Sequence, residues 1–275
     1  MHQSKNTILL ILLLQLVTVP LFSQNPQRLL GTVIVGGVFN DSVFIVADTR
    51  IAIANISGTP KNKCSYTVAY IDSVPKIFRL NSYLIATAGS GTIGNTSIDK
   101  IIRDFNKIDA KKTDLEKTLY SFEHYIDSLY PTSKYPETKG QLFISVGYSN
   151  NKPQRVAFDR DTLKLRPSNF KSYGMISNDS RIFNYVQDKI KNSSSCNTTT
   201  ELLKQSIYQL AKDIGQENCI GGPITIAKMT SPIKIIWIEN NFSAKKYDSY
   251  LSLIGLIQAN KLTLVPVMPD GYRIA

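Results

Sequence analysis

The sequence predicts an α+β domain in which two mainly antiparallel sheets pack together and helices cover the outer faces. Three observations carry this. Two β-rich runs, Thr32 to Phe39 and Val43 to Asp48, are joined by Asn40-Asp41, a pair suited to a hairpin turn. The element order is strands, a helix pair, strands, a second helix pair, then strands, which departs from the strict alternation of a doubly wound parallel sheet. No long Gly/Ser/Pro linker or internal repeat divides the chain, so residues 32–275 read as one domain, long enough to bury a sizeable core.

Residues 1–23 read as an address rather than a fold. Lys5 supplies a positive start, Ile8 to Leu14 an apolar run extended by Leu16, Val17 and Val19, Pro20 a break and Ser23 a small residue for cleavage. This is the layout of a secretory signal peptide and implies a secreted or periplasmic protein. The run is short for a membrane span, which takes about 20 apolar residues. An uncleaved N-terminal anchor is the alternative, and the only route to a membrane; a buried helix is a third reading. Cleavage after Ser23 leaves residues 24–31 ahead of Thr32, as a short prosegment or a frayed arm.

Further along, 51–74 is polar and turn-rich and reads as a long loop or insertion, with Tyr66 to Ile71 as a strand inside it. Lys76 to Leu80 and Tyr83 to Ala88 form a second hairpin about Asn81-Ser82. Thr96 to Ile108 and Thr113 to Tyr130 carry helical spacing, the second through Leu115, Leu119, Phe122 and Ile126. Gln141 to Tyr148, Arg155 to Phe158 and Thr162 to Leu165 read as strands, Arg181 to Lys191 and Thr199 to Ile214 as helices. Pro223 to Lys228 and Ile233 to Glu239 return to strands.

The formal charge of +11 is scattered rather than clustered, which describes a solvated surface and argues against a nucleic-acid partner. Cys64, Cys196 and Cys219 fit no zinc or CxxC redox spacing. His2 lies in the leader and His124 is the only other histidine, so a histidine-based triad or multi-histidine metal site is excluded. A hydrolase built on this chain must find its base elsewhere. Gly31-Thr32 offers one: a threonine freed at a new N-terminus carries a nucleophilic hydroxyl and, in its α-amine of pKa near ~8, its own base. A competing motif, Gly89-Ser-Gly91-Thr-Ile-Gly94 with Asp109 twenty residues after Gly89, matches a dinucleotide fingerprint. Asp109 falls between helical segments, however, and not at the end of a second parallel strand.

From residue 31 to about 95 the chain resembles the proteasome β-type N-terminal nucleophile (Ntn) hydrolases. Gly31-Thr32 matches the bond that family cuts autocatalytically. Asp48, in Ala47-Asp48-Thr49-Arg50, lies sixteen residues after Thr32, as the family's first carboxylate does. Val35-Gly36, Lys76-Ile77-Phe78 and Ala88-Gly89 follow in the family's order. The resemblance implies a four-layer αββα sandwich and a threonine hydrolase acting on peptides or other amides without metal or organic cofactor. Thr32 is then the nucleophile, Lys76 lowers its proton affinity, Asp48 pairs with Lys76, and the Gly89 amide holds the oxyanion. It further implies Ile51 and Thr87 as walls of a modest, mainly apolar pocket, and a homo-oligomeric ring. Later the likeness thins. Cys219-Ile-Gly-Gly-Pro223 stands where the family has Ser-Gly-Gly. Glu217 and Ile220 stand where it has Asp and Ser, and the nearest match to its other supporting serine is Ser177. The segment 51–74 is about a dozen residues longer than usual. These departures keep open a non-catalytic relative that serves as a secreted binding or scaffold protein.

Overall fold

Among the described residues β1 (Gln27–Leu30) comes first, followed by the hairpin of β2 (Val33–Phe39) and β3 (Ser42–Asp48). That hairpin turns at Asn40, whose φ of 52° is a left-handed conformation that Asn tolerates at little cost. Next come β4 (Ile51–Thr59), β5 (Asn62–Ile71), β6 (Ile77–Leu80) and β7 (Tyr83–Ala88), then the small hairpin β8 (Thr92–Ile93) and β9 (Thr96–Ser97). Helices α1 (Ile98–Ile108) and α2 (Leu115–Leu129) precede β10 (Leu142–Ser149), β11 (Lys152–Asp159), β12 (Arg166–Asn169) and β13 (Tyr173–Ser177). Helices α3 (Arg181–Lys191) and α4 (Cys196–Ile214) lead to β14 (Ile224–Ser231), β15 (Lys234–Glu239), β16 (Leu264–Val267) and β17 (Gly271–Ile274). The computed structural model describes residues 27–30, 32–59, 62–89, 91–109, 114–160, 166–169, 173–177, 181–191, 193–214, 220–240, 248, 251–252, 264–267 and 271–274.

Two five-stranded sheets form the body, one ordered β13-β2-β3-β14-β15 and the other β12-β11-β10-β7-β6, with antiparallel neighbours throughout. Three apolar clusters join them to each other and to the helices. Ile34, Ile45, Leu84, Ala86, Ile144 and Val146 meet between the two sheets. On the far side of the second sheet, Phe143 and Phe158 pack with Ile102 and Phe105 of α1 and Leu119 and Phe122 of α2. On the far side of the first, Val35, Phe44 and Ile226 pack with Val186 of α3 and Leu203 and Ile207 of α4. The period of α2 explains its docking. Leu115, Leu119, Phe122 and Ile126 share one face and are all fully buried, and Asp114 caps the first turn by accepting the Lys117 amide at 2.9 Å.

Three expectations change. Residues 51–74 are not a long loop: β4 and β5 pair along their whole length, from Ile51↔Ile71 to Thr59↔Asn62. Residues 27–30 are not a frayed arm, because β1 pairs with β4 and completes a third sheet, β1-β4-β5. The glycine motif does not open a βαβ unit. The preceding strand β7 has antiparallel partners on both sides, and Gly94, at φ 55°, turns the β8–β9 hairpin. The dinucleotide reading falls with it. The strand expected at 162–165 lies outside the described residues, as do residues 1–23.

Close approach of the two sheets requires Gly36. A Cβ at this position collides with the Cγ2 of Ile144 on the facing sheet. Gly36→Ala is expected to destabilise the fold by about 1–3 kcal/mol, as overpacking does, measured as a lowered midpoint in urea denaturation.

Candidate active site

The end of β3 carries the best-defined polar centre. Asp48 is fully buried, and its Oδ1 accepts both the Lys76 ammonium, at 2.7 Å, and the Val33 amide, at 2.8 Å. Its Oδ2 accepts the Gly221 amide at 3.2 Å. Complete burial pushes the Asp48 carboxyl up from the ordinary carboxylate range, while the Lys76 ammonium and the two amides pull the other way. Lys76, itself buried, stands just before β6, where its carbonyl accepts the Thr87 amide and extends the β6–β7 ladder by one step. One carboxylate thus ties the start of β2 to the start of β6, one strand from each main sheet.

Thr32 immediately precedes Val33 and is buried. Its position in the backbone is unusual. The β2–β3 ladder pairs Ile34 with Ala47, and the β1–β4 ladder pairs Leu30 with Ala52, a register shifted by one residue. Thr32 on one strand and residues 49–50 on the other therefore lie where a two-stranded ribbon passes from one sheet into another, and such irregularities re-aim side chains next to active sites.

Gly89 ends the second hairpin with φ of 119°, a conformation open to glycine. A Cβ there would lie 2.5 Å from Oε1 of Gln141. Gln141 is itself buried; its Nε2 donates to the Thr87 hydroxyl, and among the described residues its Oε1 has no hydrogen-bond partner. Ser177 closes β13 opposite Val33. Thr32, Asp48, Lys76, Gly89 and Ser177 thus gather at one end of the paired sheets, with Ile51 at the start of β4 and Thr87 near the end of β7. Gly31 and Glu217 lie outside the described residues. Among the described residues no group of three metal-ligating side chains forms. His124 lies exposed on α2.

Several supporting residues were not singled out from the sequence. Arg50 forms a two-pronged ion pair with Asp72, at 2.7 and 3.0 Å, and its guanidinium lies 3.8 Å from the Tyr70 ring centroid. Its amide donates to the Gly221 carbonyl at 3.1 Å. The Thr49 hydroxyl donates to the Pro223 carbonyl at 2.7 Å. This ring of contacts holds the glycine turn, with Gly221 at φ 153° and Gly222 at φ 69°, against Asp48. The Gly-Gly pair was visible as a motif, but Asp72 and Gln141 are single polar residues with no local signal.

Removing the cation leaves a buried carboxylate uncompensated. Lys76→Met is expected to lower stability by about 3–5 kcal/mol, read by urea denaturation. An unchanged midpoint would show that Asp48 does not depend on Lys76.

No family model and no curated protein matches the chain. Among solved structures, the Gly-1 mutant of Anbu from Hyphomicrobium sp. strain MC1 aligns over 83% of this chain and 97% of its own, with a TM-score of 0.51 and 10% sequence identity. At that identity the likeness concerns the fold alone, and the chain shares the proteasome-like fold of Anbu.

Proposed function

We propose that this protein is an exported, proteasome-like threonine hydrolase of peptides or other amides, with Thr32 as its nucleophile and its layers arranged as an αββα sandwich. The observation that carries the reading is the Asp48 carboxylate, which binds the Lys76 ammonium and the amide of the residue after Thr32 through the same oxygen. That arrangement sets a fixed cation beside the threonine, where it favours the deprotonated hydroxyl. Signal removal followed by scission of Gly31–Thr32 frees the α-amine. The hydroxyl then attacks the substrate carbonyl, the amine takes its proton, and the Gly89 amide stabilises the oxyanion; the adduct collapses as the amine passes that proton to the leaving nitrogen, and water cleaves the resulting ester to release the acid and restore Thr32. Ser177 and Glu217 serve as supporting polar groups. Ile51, half-buried, and Thr87, buried against Gln141, line the pocket for the residue before the cut bond. Assembly into a homo-oligomer belongs to the same reading.

One observation favours a second reading, a secreted binding or scaffold protein that keeps the fold without the chemistry. Ile220, where the resemblance calls for a serine, is fully buried in the apolar cluster beneath α3 and α4.

Intact-mass analysis of protein recovered from its native compartment separates the two. The hydrolase gives a mature chain beginning at Thr32, and Thr32→Ala abolishes that product. Permanent retention of residues 24–31 in the unmodified chain defeats the enzyme. A pH profile gives a second check. Because burial raises the Asp48 carboxyl, it takes up its proton at a pH above the ~4 of a free aspartic acid. Protonation discharges the group that holds Lys76, so the rate of scission falls as pH drops through that higher value. An acid limb at or below pH ~4 counts against the role of Asp48.

A further inference from the structure

We propose that Gln141 is a positioning residue of the candidate site: its one side chain sets both the Gly89 turn, whose amide holds the oxyanion, and the Thr87 hydroxyl in the pocket wall. The inference rests on the hydrolase reading, since it concerns charge that develops beside Gly89.

Gln141 stands directly before β10, one step beyond the Leu142↔Ala88 pair, and so lies level with Gly89. Its main chain is tied at both groups. The amide donates to the Thr138 carbonyl at 3.2 Å, and the carbonyl accepts the Arg160 amide at 3.1 Å. Arg160 is itself buried, and its guanidinium donates to the Tyr130 carbonyl at 2.6 Å, just past the end of α2. From this fixed backbone the side chain runs along the end of β7. Its Nε2 donates to the Thr87 hydroxyl, and its Oε1 ends against Gly89. A Cβ on Gly89 would meet Oε1 at 2.5 Å, Cδ at 3.0 Å and the Gln141 Cα at 3.2 Å. Side chain and backbone together therefore form the back wall of the turn, and the φ of 119° at Gly89 is adopted against that wall.

Packing alone does not account for a glutamine here. Gln141 is 1% exposed, and among the described residues its Oε1 has no hydrogen-bond partner. A buried polar atom left without a partner lowers stability. Methionine fills a similar length without that cost. What methionine lacks is the donor to Thr87 and a planar, rigid end behind Gly89. Catalysis needs that rigidity, because an oxyanion donor is effective only when aimed at the atom where charge develops. A displacement of about 1 Å can cost roughly a hundred-fold in rate. Gln141 gives up some stability to hold two neighbouring parts of the site in fixed relation.

The test follows the appearance of the chain beginning at Thr32 by intact mass, with the full sequence expressed. The urea midpoint of each variant is measured in the uncut Thr32→Ala background. In Gln141→Met the midpoint holds or rises, while scission slows by roughly ten- to a hundred-fold. In Gln141→Glu the new carboxyl matches the amide in shape. Protonated, it donates to Thr87; ionised, it cannot donate and sets a negative charge behind the oxyanion. Its rate relative to the unmodified chain therefore rises as pH falls, and burial places that rise above the ~4.3 of a free glutamic acid. A side chain that only fills space gives a ratio independent of pH. Scission at the unmodified rate in Gln141→Met overturns the proposal. So does slowing that accompanies a fallen midpoint, which marks a structural role, and so does a flat ratio in Gln141→Glu. An unmodified chain that never yields Thr32 as its first residue is a separate failure: it refutes the hydrolase reading, and the positioning role falls with it.

Discussion

The candidate site depends on keeping one carboxylate out of water. A buried charge is tolerated only when opposite charge and hydrogen bonds answer it closely, and Asp48 is answered from three separate parts of the chain: the start of β2, Lys76 before β6, and the glycine turn ahead of β14. Each donor is itself fixed. Val33 is held by its ladder with Ser177, the carbonyl of Lys76 by Thr87, and Gly221 by the amide of Arg50. Arg50 in turn is locked by Asp72 and stacked on Tyr70. The ends of the two main sheets are pinned together around a single oxygen pair, and their apolar faces meet behind it.

Much of this architecture was legible where the signal is local. Asn40 and Asn81 mark their turns because both adopt the left-handed conformation there, at φ 52° and 54°. The face of α2 follows from spacing alone. Asp48 and Lys76 stood out through their placement relative to Thr32. What escaped is what only partners create. Gln27–Leu30 has no strand signature of its own and is a strand because β4 lies beside it. Ile51–Thr59 reads as turn-rich, yet is ordered by neighbours on both edges. Gly36 and Gly89 were visible as motif glycines, but the reasons for them, Ile144 across the sheet gap and Gln141 behind the turn, lie more than fifty residues away in sequence.

The one-residue shift between the two ladders also marks the passage from one sheet into another. Below the joint, β2 and β3 are buried strands of a packed sheet, fixed by the core. Above it, β1 and β4 belong to a separate sheet, β1-β4-β5. The residue at the joint stands between a strand fixed in the core and a strand of a different sheet.

Finally, the Gly221 amide reaches Asp48 from 173 positions further along the chain. The carboxylate therefore gains its full set of partners only after nearly all of the polypeptide has been synthesised and both helix pairs have docked. Chemistry at residue 32 that relies on this carboxylate is thereby timed to the end of folding.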